Sequence, residues 1–229
     1  MPAESLYDQQ FAYNRSNRIW SPTVSVLATP TAASDQGWKI VGTNAVDGDA
    51  PVGANGGITL TTHGGASDST ILAGIATVSV WGVATCWYAQ NYPCLRWTIK
   101  TPASLTNTTL WGGLKLTNTS TVATDNDQAF FRFAVATSAN WVFNISRAGV
   151  DESVTSSVPV VASTMYTFDI QTLPTGQVQA YINGNAVQNA PFTAMASSTA
   201  LLPFFGVLSA TDATAKTCSI YAINGSTVI

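Results

Sequence analysis

The sequence is short of charge. Asp, Glu, Lys and Arg make up only 9% of its 229 residues, where an ordinary soluble domain carries about 25%. Ser, Thr, Asn, Gln, Ala and Gly must therefore fill most solvent-facing positions. Nine basic against twelve acidic residues leave a net charge of -3, which supplies no broad positive field for nucleic acid or an anionic membrane. Glutamate is scarcer still. Glu4 and Glu152 are the only two, and Glu4 sits in the N-terminal segment, so the core lacks the glutamate pair that commonly flanks a hydrolysed sugar linkage. An Asp-based pair has no motif to mark it. The one histidine, His63, lies in His63-Gly64-Gly65-Ala66, which reads as a turn because no G-x-S-x-G elbow accompanies it. A P-loop and a dinucleotide fingerprint are both missing. Three cysteines, Cys86, Cys94 and Cys218, fit no zinc spacing and read as free thiols. No run approaches the roughly 20 apolar residues that span a bilayer, and the first residues lack the features of a secretory signal. From these absences we expect no enzyme, no cofactor, no metal site, and no nucleic-acid or membrane partner.

What the sequence does contain is strand. Short runs of period-two alternation, separated by Gly, Pro, Asn, Asp and Ser clusters, extend from about residue 23 onward. In Leu95-Arg96-Trp97-Thr98-Ile99-Lys100, Leu95, Trp97 and Ile99 share one face and Arg96, Thr98 and Lys100 the other, as in a strand with one wet side. Tyr166 to Gln171 repeats the pattern. Gln177 to Ile182 runs into Asn183-Gly184 and then Asn185-Ala186-Val187, and Asn-Gly between strand-like runs marks a hairpin whose turn needs positive φ at both central residues. Further strands are expected near 57–61, 70–80, 110–116, 129–135, 140–146, 154–161, 203–209 and 216–223. Sustained apolar spacing of 3.6 is absent, so helix should be minor.

Residues 1–22 differ, with Tyr7, Phe11, Tyr13, Arg15, Arg18 and Trp20 set among polar residues without alternation. Such side chains are enriched at interfaces, and we expect an N-terminal arm over 1–22 and one sandwich domain over 23–229. Asp47-Gly48-Asp49 and Asp125-Asn126-Asp127 carry oxygen ligands suited to calcium, yet Asp and Asn are ordinary turn residues and are read so here. Sequons at Asn14, Asn107, Asn118, Asn144 and Asn224 are read as chance products of the composition. Between Trp81 and Trp97 aromatics cluster; Trp97 is assigned to the core by its alternation, while Trp87, Tyr88 and Tyr92 are kept as candidates for stacking on a ligand.

The segments Met165-Tyr166-Thr167-Phe168-Asp169-Ile170, Gly176 to Val187, Leu202 to Val207 and Thr217 to Ile223 resemble the closing strands of concanavalin-like (laminin-G-like) jelly rolls, which include a strand ending in a Y-x-N/D-G hairpin. Gly56 to Thr62, Leu95 to Ile99 and Asp127 to Phe133 are similar to the version found in tailed-bacteriophage virion proteins. The resemblance covers roughly residues 35–225. It implies an all-β, antiparallel two-sheet jelly-roll sandwich, and a non-enzymatic structural protein that decorates or cements a capsid. The expected partners are then the major capsid protein, other virion proteins and further copies in a homo-oligomer, and the expected location is the virion, assembled in a host cytoplasm. The glucanase members' E-x-D-x-x-E strand is absent, so their activity is not implied. The alternative is a carbohydrate- or receptor-binding module of a tail fibre or spike, with a cell-surface glycan as partner and the aromatic loop at 81–92 as its site.

Overall fold

The computed structural model describes residues 38–51, 57–74, 88–195, 198–211 and 214–226. Their regular structure is strand, apart from three short 3-10 turns. In chain order the strands are β1 (Trp38–Val41), β2 (Ile58–Thr61), β3 (Ser69–Gly74), β4 (Cys94–Lys100), β5 (Thr108–Lys115), β6 (Gln128–Ala134), β7 (Asn140–Arg147), β8 (Val150–Pro159), β9 (Met165–Thr172), β10 (Val178–Ile182), β11 (Asn185–Ala186), β12 (Leu202–Ser209) and β13 (Thr217–Ser226). They form a seven-stranded sheet, β1-β3-β12-β5-β6-β7-β8, and a six-stranded sheet, β11-β10-β9-β4-β13-β2. Every pairing is antiparallel. The expected all-β two-sheet sandwich is what the chain builds. Among the described residues no helix is long and apolar enough to cross a membrane.

The alternation seen in the sequence is the packing rule of the sandwich. From the seven-stranded sheet Leu72, Phe205, Phe131 and Phe143 point inward along one row. They meet Trp97, Phe168 and Ile170 from the facing sheet. Trp97, only 1% exposed, stacks on Phe168 at 5.2 Å between ring centroids and lies 5.4 Å from Phe205 and 6.0 Å from Phe131. Its assignment to the core is borne out. The Asn183-Gly184 turn also forms as expected: φ is 51° and 80° at the two residues, and Ile182 pairs with Asn185 across it.

Cys94 and Cys218 are both buried, and no disulfide joins them. Burial pushes the Cys218 thiol up from 9.0 to about 12, because a thiolate there would lose its hydration. The unfolded thiol ionises from about pH 9 while the folded one holds its proton. The unfolded state thus binds fewer protons in that interval, and unfolding free energy must fall as pH rises through it. Denaturant melts between pH 8 and 11 should show a decline of up to about 1.4 kcal/mol per pH unit from this one group. Cys218→Ala should remove that component of the slope; an unchanged slope in the variant would contradict the assignment.

The residues of the expected arm lie outside the described residues, as does the boundary at residue 22. Strand β1 had no counterpart in the sequence reading, since four residues give alternation too little length to register.

Candidate functional site

The strand registers place a second set of side chains on the outward face of the seven-stranded sheet. One row runs Ile71, Gly206, Trp111, Arg132, Val142, Thr155, and the next runs Ala73, Phe204, Gly113, Phe130, Asn144, Ser153. A third, Leu202, Lys115, Gln128, Ser146, Asp151, completes the face. The β1-proximal half is apolar: Ile71, Ala73, Trp111, Phe130 and Phe204 are buried together, away from the main core. Gly206 makes this possible, because a Cβ at that position would stand 2.3 Å from the Trp111 ring. The β8-proximal half is a groove of about 290 Å³, bounded by Arg132, Asn144, Ser153, Thr155, Thr137 and Ser138, with Val122 among its apolar wall. That volume is at the lower end for a ligand cleft.

Among the described residues, Arg132 is the one formal cation on the groove wall. It forms no ion pair with a described carboxylate, and its Nε is buried without an acceptor. Burial lowers its guanidinium from the usual value. Its row neighbour Trp111 likewise has a buried indole N–H that meets no acceptor. Opposite, Asn144 is held by Ser153, whose hydroxyl donates to Asn144 Oδ1 at 2.8 Å. Asn144 is only 3% exposed, which agrees with reading its sequon as a product of chance.

The end of the groove is walled by the segment between β5 and β6, which is pinned from below. Lys115 and Asp125, both with fully buried side chains, lie 3.0 Å apart. Lys115 Nζ also donates to Gln128 Oε1 and sits 3.9 Å from the centre of the Phe130 ring. Asp125 accepts from the Thr117 hydroxyl at 2.6 Å and the Thr117 amide at 3.2 Å. Gln128 Nε2 donates to the Val122 carbonyl at 2.5 Å and to Ser146 Oγ at 2.7 Å. Burial lowers the Lys115 pKa, and Asp125 opposes that shift. Lys115 thereby has a counter-charge within the protein, whereas Arg132 has none among the described residues.

The acidic clusters serve turns and ties. Asp49 accepts from the Val46 amide at 2.7 Å and pairs with His63 at 2.8 Å, and Asp127 accepts from the Ala148 amide and the Thr199 hydroxyl. Tyr88 and Tyr92 flank a 3-10 turn ahead of β4; both are half-buried, and neither borders the groove. Trp87 and the arm residues Tyr7, Phe11, Tyr13, Arg15, Arg18 and Trp20 lie outside the described residues. The groove was missed by sequence reasoning. Its signal was a lone Arg in Ala129-Phe130-Phe131-Arg132-Phe133-Ala134, a cation inside an aromatic strand of a chain with nine basic residues.

No family model and no curated protein sequence matches the chain. Solved structures do match in fold. A protein of unknown function from Shewanella oneidensis MR-1 aligns with a TM-score of 0.60 at 14% identity, over 91% of this chain and 84% of that one. A double-cysteine variant of the alginate lyase A1-II′ aligns at 0.56 and 14% identity, over 88% of this chain and 100% of that one. The potassium-bound carbohydrate recognition domain of Emp46p aligns at 0.56 and 8% identity, over 90% and 95%. The fold is a concanavalin-like jelly roll. At such identities the likeness carries the fold alone, yet it corrects one expectation. The chain was expected not to be an enzyme, for want of a carboxylate pair and of a usable histidine. The same sandwich carries alginate lyases, and a lyase breaks its bond by elimination, a reaction to which the paired-carboxylate test for glycoside hydrolysis does not apply. The absent pair therefore excludes less than it was taken to exclude.

Proposed function

We propose that this chain binds an acidic polysaccharide in the groove on the outward face of its seven-stranded sheet. The reading takes up the alternative carbohydrate-binding module rather than the expected capsid protein, and moves its site from the 81–92 loop to the sheet. One observation carries it: Arg132 lines a groove of hydroxyl and amide groups, has no carboxylate partner among the described residues and keeps a buried Nε without an acceptor. A partly desolvated guanidinium is costly unless an anion meets it, and its planar fork suits a carboxylate. Ser153, Thr155, Thr137 and Ser138 can serve sugar hydroxyls as both donors and acceptors. That structural neighbours include alginate lyases and a carbohydrate recognition domain supports a saccharide over other anions.

Calorimetry with a uronate oligosaccharide and a neutral glucan of equal length tests this. The acidic ligand should bind and the neutral one should bind at least tenfold more weakly. Since a hydrogen bond to a charged group contributes about 1.5–3 kcal/mol, Arg132→Gln should weaken uronate binding by roughly 10- to 100-fold. Equal affinity for both sugars, or an unaffected Arg132→Gln variant, would refute the reading. Scanning the same mixtures for unsaturated chain ends, which elimination leaves behind, tells whether binding leads to cleavage.

A further inference from the structure

We propose that Lys115 and Gln128 join in an intramolecular amide, with Asp125 as the proton carrier and ammonia as the leaving group. The three side chains meet where the end of β5 lies beside the start of β6, beneath the segment that walls the groove. All three residues are buried, and Lys115 and Gln128 keep no exposed surface. Lys115 Nζ touches Gln128 Oε1, so the carbonyl carbon stands one C=O bond, about 1.23 Å, behind the atom the amine already contacts. Asp125 Oδ2 lies 3.0 Å from the same nitrogen. The Phe130 ring, its centre 3.9 Å from Nζ, supplies the apolar side. An amine, a carboxamide and a carboxylate in one buried contact are the parts that an amine-for-amide exchange requires: nucleophile, electrophile and proton carrier.

Neighbouring groups hold each part in place. Gln128 keeps its oxygen toward the amine because Nε2 donates to the Val122 carbonyl at 2.5 Å and to Ser146 Oγ at 2.7 Å. Asp125 is fixed by the Thr117 hydroxyl and amide. Burial shifts Lys115 toward its neutral, nucleophilic form, since a desolvated ammonium is costly. Fixed contact also replaces a bimolecular encounter, which lowers the barrier to such exchanges. The ion pair is what folding delivers, and the amide accumulates from it on standing. A proton passes from Nζ to Asp125, and the freed lone pair attacks Gln128 Cδ to form the Nζ–Cδ bond. Asp125 hands its proton to Nε2 as the Cδ–Nε2 bond breaks. It then takes a second proton from Nζ and yields it to the departing ammonia, which leaves as ammonium. The product exchanges a buried ammonium for a neutral N–H and ties residue 115 to residue 128 around the segment that carries Val122.

Intact-mass measurement of the denatured full chain, freshly refolded and after long incubation at mildly alkaline pH, tests the step. A species lighter than the sequence by one ammonia should grow with time. Trypsin then locates the bond. Lys115 is the only tryptic site between Lys100 and Arg132, and an acylated lysine is not cut, so residues 101–132 should emerge as one fragment carrying the whole deficit. A cyclised asparagine also loses ammonia, but it leaves Lys115 open to the protease. Asp125→Asn removes the proton carrier with little change of shape and should stay at its own sequence mass, with its fold checked by circular dichroism. Where that variant is unstable, Gln128→Met removes the electrophile alone and should give the same result. A parent chain that keeps its full mass, or that is cut at Lys115 throughout, overturns the proposal. So does a deficit of one water with Lys115 joined to Asp125, which makes the carboxylate the acyl partner, and so does an Asp125→Asn variant that matures at the parental rate. Every readout is independent of saccharide binding.

Discussion

Trp97→Ala should lower stability by about 3–5 kcal/mol, the usual cost of deleting a fully buried tryptophan. The ring is 1% exposed and touches aromatic side chains of both sheets: Phe168 beside it, and Phe131 and Phe205 from across the sandwich. Gly112 also packs on it, since a Cβ there would lie 3.0 Å from the indole nitrogen. Neighbouring backbones in a closely packed interior relax only partly into such a gap, so the lost contacts and the remaining cavity both count. As domains are commonly stable by only 5–15 kcal/mol, the variant should unfold at far lower denaturant and be partly unfolded near 37 °C. An equilibrium melt reads the effect directly. A loss below about 1 kcal/mol would mean that Trp97 does not join the two sheets.

Asp125→Ala should be nearly as damaging, by about 3–5 kcal/mol, and for an electrostatic reason. The Lys115 ammonium would then be left fully buried against Phe130, with the Gln128 carbonyl in place of a counter-charge. The paired change Lys115→Met with Asp125→Leu removes charge and counter-charge together, and should recover most of the loss, because buried ion pairs often exchange for apolar pairs at little net cost. If the double variant is as unstable as the single one, the pair does not act as an electrostatic unit. Both measurements belong in the same denaturant series, read by tryptophan fluorescence and circular dichroism.

Much of the fold was legible because the sandwich imposes a period of two. Leu95, Trp97 and Ile99 face inward and Arg96 and Lys100 outward, as alternation required. Asn183-Gly184 declared its turn through the positive φ that few residue pairs accept. The groove was less legible because its sheet is covered on both sides over part of its width. All eight residues of β5, Thr108 to Lys115, are buried, so Lys115 and Trp111 carry no wet-face signature. Arg132 had the same difficulty, as it sits between Phe131 and Phe133, which point into the core. Nothing local shows that its guanidinium lacks a partner; that follows from where β5, β7 and β8 bring their side chains. The aromatic loop drew attention instead, because a cluster of aromatic residues is visible in a sequence and an unpaired charge is not.

The strand order also constrains how the molecule can come into being. In the six-stranded sheet β13 lies between β4 and β2, and in the seven-stranded sheet β12 lies between β3 and β5. Strands made early therefore wait for the last of the described ones before either sheet is continuous. A chain leaving the ribosome cannot settle one half and then the other; with residues 202–226 still in the exit tunnel, β2 and β3 each lack a neighbour that only those residues supply. Synthesis at about 5–20 residues per second holds those edges open for seconds before the sheets can close.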